Sequence, residues 1–302
     1  MVNIIGNKKI PFLISGVLFV LSLVALIVFG LKPGIDFTGG SLLELSFSET
    51  RPPVSDVEKL LAPLKLGKTI IQPSGDRGLI LKMRFISERE HQSLLIGFRA
   101  SYELGANKVL EDSFETIGPA VSEQLRSRAV STVISVMLAI LLFVAYAFRR
   151  VSRPVKSWNY GMAALVALIH DVVITVGAFT LMSKFLGVEA DIPFVVAVLT
   201  VLGYSVNDTI VVFDRIRENL IKRPHPTFAG TVNAAINETF VRSINTSMTV
   251  LLVLTALFFF GGVTIHYFAL TLIVGIFIGT YSSIFVASPV LVSWYEWRQR
   301  IK

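Results

Sequence analysis

From Pro11 to Leu31 the chain runs for 21 residues without one charged side chain. At ~1.5 Å of rise per residue that is about 30 Å of helix, the thickness of a bilayer's hydrocarbon layer. Inside such a layer every backbone amide must be satisfied within the segment, so a span of this composition is helical. Lys8 and Lys9 ahead of the run imitate a secretion signal. The run is too long for one, and Lys32-Pro33-Gly34 lacks a small-x-small cleavage pattern, so an uncleaved first transmembrane helix is expected. Five further apolar spans fall at roughly 129–148, 159–182, 192–213, 244–262 and 267–293. The expected fold is an α-helical polytopic membrane protein with six transmembrane helices, in keeping with a mean hydropathy of +0.68. With no cysteine, disulfides, thiolate nucleophiles and cysteine metal clusters are excluded, and no metal site is expected.

The formal charge of +7 would suit nucleic acid only if it were gathered on a binding face. Instead it lies at the ends of spans. Lys8, Lys9, Arg149, Arg150, Arg153, Lys156, Arg215, Arg217, Lys222, Arg223, Arg298, Arg300 and Lys302 fall on one side, and the opposite short loops hold Lys184 alone. By the positive-inside rule both termini are cytoplasmic, with the lipid bilayer as the partner and no nucleic acid. The chain then divides into 1–35 (cytoplasmic N-terminus and first helix), 36–118 (an extracytoplasmic domain) and 119–302 (helices two to six with a cytoplasmic C-terminus).

Within 36–118 the elements read β-α-β-β-α-β. SLLELSFS alternates, with Leu43, Leu45 and Phe47 on one face. Ser55–Glu58 and Ser87–Glu90 read as capping boxes opening two helices. TIIQP and GLILKMRF flank the turn Ser74-Gly75-Asp76-Arg77, and NKVLEDSFETIG supplies the last strand. This order predicts a small α+β ferredoxin-like domain. Nothing in it looks catalytic; His91, among charged residues on a helix, is read as solvated. Gly34-Ile35-Asp36-Phe37-Thr38-Gly39-Gly40, ahead of the first strand, reads as a glycine-rich turn with Asp36 solvated or capping; no Gly-Lys-Ser/Thr follows, so it is no phosphate loop.

The fourth span carries a carboxylate. Asp208 lies roughly 24 Å along a helix that begins near Ile192, still inside the bilayer, where an ionisable residue costs at least ~2.5–3.5 kcal/mol and is a functional candidate by default. Tyr204, Ser205 and Asn207 make one face of that helix polar. In the fifth span Arg242, Asn245, Thr246 and Thr249 form a second polar stripe, expected to face protein or water. The third span holds His170 and Asp171, read as a core histidine and part of a polar network or relay. Two buried aspartates would also permit aspartyl-protease chemistry, but no Gly-x-Gly-Asp context surrounds Asp208. Thr271, Gly275, Gly279 and Ser283 put small residues along one face of the sixth span, a packing feature. Between spans four and five, Phe228, Val232, Ala235, Ile236 and Phe240 predict an amphipathic segment lying along the cytoplasmic interface.

GIDFTGG after the first span, GYSVNDTIVVFDRIREN at the fourth, AINETFVRSINTSMT entering the fifth and GTYSSIFVASPVL in the sixth together resemble the SecD/SecF family of the bacterial Sec protein-export system, on its SecF side. The resemblance covers the whole chain in order. It implies a chain of the bacterial cytoplasmic (inner) membrane that pairs with a SecD-like subunit into a twelve-helix unit resembling resistance-nodulation-division transporters. Such a unit uses the proton-motive force to assist the SecYEG translocon and SecA in moving an unfolded preprotein at a late stage. It implies no enzymatic activity and no cofactor, the proton being the coupling ion. Proton conduction falls on Asp208 and Arg242, with Asn207, Asp171, Asn245 and Thr246 around them, and the family motif after helix one on Gly34, Asp36, Gly39 and Gly40. Movement of Arg242 toward or away from Asp208 would load and unload a proton. The rival reading is a self-sufficient proton-coupled small-solute or lipid exporter of the resistance-nodulation-division superfamily. An exported domain of some eighty residues is small for that task, and six spans are half of the usual repeat pair.

Overall fold

The computed structural model describes residues 2–67, 69–149, 154–222 and 225–301; of the basic residues counted above, Arg150, Arg153, Arg223 and Lys302 lie outside them. In chain order the elements are α1 (Lys9–Phe29), a single-turn α2 (Ile35–Thr38), β1 (Gly40–Phe47), α3 (Val54–Leu61), β2 (Ile70–Ser74), β3 (Gly78–Met83), α4 (Glu88–Tyr102), β4 (Val109–Ile117), α5 (Pro119–Ala147), α6 (Ser157–Leu186), α7 (Ile192–Lys222), α8 (Phe228–Phe260), α9 (Val263–Ser282) and, after a π-helical turn (Ser283–Ala287), α10 (Ser288–Ile301). Among the described residues six helices are long and apolar enough to cross a membrane: α1, α5, α6, α7, α8 and the run Ile265–Arg300. Two compact units result, Pro33–Ala129 and the pair of segments Met1–Lys32 and Val130–Lys302.

The smaller unit is the expected ferredoxin-like sheet. Its antiparallel strand order is β2-β3-β1-β4, and Leu43, Leu45 and Phe47 point into a core shared with Val57 and Leu61 of α3 and Leu94, Leu95 and Phe98 of α4. The two glycines ahead of β1 are required by geometry. Gly39 has φ +73°, and a methyl on Gly40, at φ +144°, would lie 2.7 Å from the Met83 carbonyl oxygen. Asp36 is buried, not solvated.

Two local expectations fail here. The first capping box does not form. α3 starts earlier, at Val54, because the Pro53 carbonyl takes the first helical bonds from the Asp56 and Val57 amides, which leaves Ser55 inside the helix. His91 is buried rather than solvated, its ring stacked on Phe114 of β4 at 3.7 Å between centroids. Its Nδ1 lies 3.3 Å from Glu88 and its Nε2 3.2 Å from Glu111; the second approach is close but off the line of a hydrogen bond.

The second capping box is present in both directions, from the Glu90 amide to Ser87 Oγ (3.4 Å) and from the Ser87 amide to Glu90 Oε2 (2.8 Å). Arg84 donates to the same carboxylate at 2.5 Å, and this bond first, then those from Ser87, hold the Glu90 carboxyl down at about 2. A carboxyl lowered by folding stabilises above its unfolded value of about 4.3 and loses that contribution as pH falls toward about 2. The protection of α4 amides, relative to their intrinsic exchange rates at each pH, should therefore be flat from neutrality to about pH 5 and decline below it. Ser87→Ala, a cap deletion of about 1 kcal/mol, should speed that exchange about five-fold at neutral pH. An unchanged exchange rate in the variant would show that the box contributes nothing.

In the helical unit, close approach follows the small residues. A methyl on Gly275 would meet a Val201 methyl at 2.2 Å, one on Gly279 would meet Ser205 Cβ at 2.9 Å, and one on Gly177 would meet Ser22 Cβ at 2.3 Å. The amphipathic segment expected along the interface is instead the continuation of α7 and the start of α8. Phe228, Val232, Ala235 and Ile236 are buried in the main core with Tyr160 and Phe213, and Phe240 is exposed. An apolar stripe of that width meets protein as readily as a headgroup layer, and sequence periodicity does not distinguish the two.

The amino-terminal segment is stitched to the end of this bundle. Asn233 and Asn237, one turn apart on α8, grip its backbone: Asn233 Oδ1 accepts from the Ile4 amide and Asn237 Oδ1 from the Val2 amide, both at 2.9 Å, and both side chains donate to the Val2 carbonyl. Lys8 pairs with Glu296 of α10 at 2.6 Å.

Candidate functional site: two buried aspartates

Asp208 projects from α7 into the bundle and is 8% exposed. Ser243 of α8 donates to its Oδ1 at 2.6 Å, and Ser283, the first residue of the π turn, donates to its Oδ2. Asp171 of α6 is fully buried; Ser205 of α7 and Ser282 of α9 donate to its Oδ2 at 2.5 and 2.7 Å, and His170 Nδ1 lies 2.9 Å from its Oδ1. Neighbouring serines of the sixth span thus hold the two carboxylates. Beside them runs a hydroxyl chain, Tyr204 to Ser247 at 3.1 Å and Ser247 to Thr280 at 2.6 Å. A carboxylate ringed by hydroxyls can exist with or without its proton, because a hydroxyl donates to the ionised form and accepts from the protonated one. Among the described residues neither aspartate pairs with a lysine or arginine; the one nitrogen base in contact is His170, on Asp171.

The expected partner of Asp208 is elsewhere. Arg242, Asn245, Thr246 and Thr249 do share one face of α8, but that face is exposed on this chain, as is Asn207 on α7. The Arg242 guanidinium has no hydrogen bond or ion pair to the described residues; Thr246 and Thr249 bond back to their own helix, at 2.9 and 2.8 Å. The reason is angular. Ser243 touches Asp208, and one residue along an α-helix is a rotation of ~100°, so Arg242 stands at the level of Asp208 but turns outward. At one end of α7 and α8, Glu238 accepts from Arg215 at 2.5 Å and from Asn219 at 2.8 Å, which joins the two long motifs of these helices.

Ser243, Ser247, Thr280, Ser282 and Ser283 were not singled out as polar partners from the sequence. The signal was present in GTYSSIFVASPVL, which places Thr280, Tyr281, Ser282, Ser283 and Ser288 inside one apolar span.

Residues 99–297 match the model of the protein export membrane protein SecD/SecF C-terminal family, and residues 24–50 match the SecD/SecF GG motif. The chain belongs to the SecD/SecF family. A SecD/SecF relative named protein translocase subunit SecF, from Thermobaculum terrenum, is 40% identical over 97% of this chain and 94% of its own length. Another of that name, from Desulfurispirillum indicum, is 41% identical over 93% of this chain and 88% of its own. The crystal structure of SecDF, a translocon-associated membrane protein from Thermus thermophilus, superposes on 98% of this chain with a TM-score of 0.81 at 36% identity; the chain spans 39% of that protein. A SecDF structure in a super-membrane-facing form matches at 0.68, with the same identity. The Gly39–Gly40 turn and the Asp208 helix fall in the matched regions. As a SecD/SecF protein the chain is an accessory Sec translocation subunit, a multi-pass protein of the bacterial inner membrane.

Proposed function

We propose that this chain is the proton-conducting half of a unit completed by a SecD-like subunit, and that the unit uses the proton-motive force to promote late stages of preprotein translocation through the SecYEG translocon served by SecA. Both termini lie in the cytoplasm, the chain is not an enzyme, and the coupling proton is the only cofactor. One observation carries this reading: a buried carboxylate without an ion pair to the described residues lies at the level of an arginine that turns outward from the same bundle. Left against lipid, that guanidinium and the amides of Asn207 and Asn245 would be costly, at least ~2.5–3.5 kcal/mol for the charge alone. A second helical half covering this face removes the cost and brings Arg242 to a shared polar seam.

Several findings support the pairing. The solved SecDF chain is more than twice as long as this one, and the SecDF structure in a super-membrane-facing form matches this chain less closely at the same identity and nearly the same coverage, which suits a unit that moves. The relatives' names also weigh against a self-sufficient exporter.

In mild detergent the chain should co-purify with a SecD-like chain. Arg242→Ala should weaken that association and stop stimulation of export in vesicles. Arg242→Lys keeps the charge but loses the planar fork of donors, so it should keep association while export stimulation falls. If both variants export as the parent does, Arg242 only snorkels to headgroups, and recovery of an active complex of this chain alone would refute the pairing.

A further inference from the structure

Ser282 and Ser283 each have one proton to donate and two acceptors within reach. Ser283 Oγ contacts Asp208 Oδ2 and lies 2.9 Å from the Thr280 carbonyl of its own helix. Ser282 Oγ lies 2.7 Å from Asp171 Oδ2 and 3.1 Å from the Gly279 carbonyl. The choice between acceptors follows the state of the carboxyl. An ionised aspartate only accepts, so the serine points its proton at it. A protonated aspartate needs an acceptor for its own O–H, so the serine turns its proton to the backbone carbonyl and receives the carboxyl proton's hydrogen bond.

These carbonyls lie at the entry of the π-helical turn. Gly279 O already accepts the Ser283 amide, the last α-helical bond before the turn. Ser288 Oγ donates to the Ser283 carbonyl at 3.3 Å at the far end. Serine back-bonding to such carbonyls bends helices, and π turns mark sites where a helix can shift its register. Ser282 and Ser283, each a donor to one of the two aspartates, are adjacent residues at the entry of this turn, so proton uptake at one carboxyl redraws the bonding beside the other.

We propose that Ser282 and Ser283 are positioning residues that couple the protonation of Asp171 to that of Asp208 through the π turn of the sixth span. The proposal rests on the proton-carrying reading of Asp208, but its test reads the carboxyls themselves. Among the described residues, the ionisable groups facing the pair are His170 beside Asp171 and Tyr204, one helical turn from Asp208 on α7. Ser243 of α8 and Ser205 of α7 are not ionisable.

The full chain, purified with the partner that accompanies it and returned to lipid vesicles, is titrated while the infrared band of protonated carboxyl is recorded; Asp171→Asn assigns the Asp171 band. Asp208→Asn should move the Asp171 midpoint by at least one pH unit, a tenfold change in proton affinity. In the Ser282→Ala/Ser283→Ala background that movement should vanish, and Ser282→Thr/Ser283→Thr, which restores both hydroxyls, should recover it. An Asp171 midpoint that ignores Asp208, that moves equally without the serines, or that never falls between about pH 4 and pH 10 overturns the proposal. Export is scored separately on the same vesicles. The Asp171 midpoints alone decide this inference, whereas normal export by Asp208→Asn refutes the function proposed above.

Discussion

Asp208→Asn should insert, fold and hold its SecD-like partner, yet lose all stimulation of protein export by the proton-motive force. The structure gives grounds for both halves of that expectation. An asparagine oxygen can accept the Ser243 hydroxyl as Oδ1 does now, and its NH₂ group can donate to Ser283, whose own proton then goes to the Thr280 carbonyl 2.9 Å away. One amide N–H is left without an acceptor at this nearly buried position, so stability should fall by about 1–3 kcal/mol. What the amide lacks is a titratable proton. Moving one charge across the potential yields about 2.3 kcal/mol per 100 mV, comparable with the few kcal/mol that separate two conformations of a bundle. Without that coupling the potential has nothing to act upon. Preprotein translocation measured in inverted vesicles, with and without an imposed potential and across pH, decides the matter. A variant that responds like the parent would make Asp208 a structural residue.

Gly40→Ala should be strongly damaging to the smaller unit. The methyl would lie 2.7 Å from the Met83 carbonyl oxygen, on backbone fixed by the β1–β3 ladder, and the residue would be held at φ +144°. Strain at such a φ is about 1–3 kcal/mol before the overlap is counted. For a unit of this size each kcal/mol lowers the melting temperature by about 4–8 °C, so a fall of at least 10 °C is expected. Gly75→Ala is the control. That glycine also has positive φ, +57°, but nothing lies within 4 Å of the added methyl, and its cost should stay near 1 kcal/mol. Protection of the β1 and β3 amides in the full chain reports both variants. Equal losses at the two positions would mean that the approach to Met83 is not what requires glycine.

The contrast between these two sites shows what the sequence makes legible. Strand alternation in SLLELSFS and the SGDR turn between apolar runs are local patterns, and they led to the correct sheet. His91 was misread because its surroundings in sequence, Glu88, Arg89 and Glu90, are solvent-facing, while the ring that covers it belongs to Phe114 on another strand. Arg242 shows a related limit of sequence reading. Helical spacing tells which residues share a face, not what that face meets, and the contact with Asp208 belongs to the next residue. The serines of the sixth span were hidden by size, since a serine in an apolar helix serves equally as a small packing residue and as a donor. Asp208 itself was legible because charge in a bilayer is too costly to be incidental.

The grip on the amino-terminal segment has a consequence for how the protein is made. The residues that hold its beginning arrive late: Asn237 is 235 positions after Val2, and Glu296 is 288 after Lys8. Tyr281, which donates to the Pro11 carbonyl at 3.1 Å, comes 270 positions later. At synthesis rates of about 5–20 residues per second, the first helix waits roughly 10–60 s in the bilayer before its binding sites exist. During that interval its apolar surface is satisfied by lipid, and it joins the bundle only as a preformed helix meeting nearly finished neighbours. Assembly of the membrane half is therefore closed from the carboxyl-terminal end, and in a nascent chain stalled before Asn233 the Val2 and Ile4 amides should lack the exchange protection that the finished protein gives them.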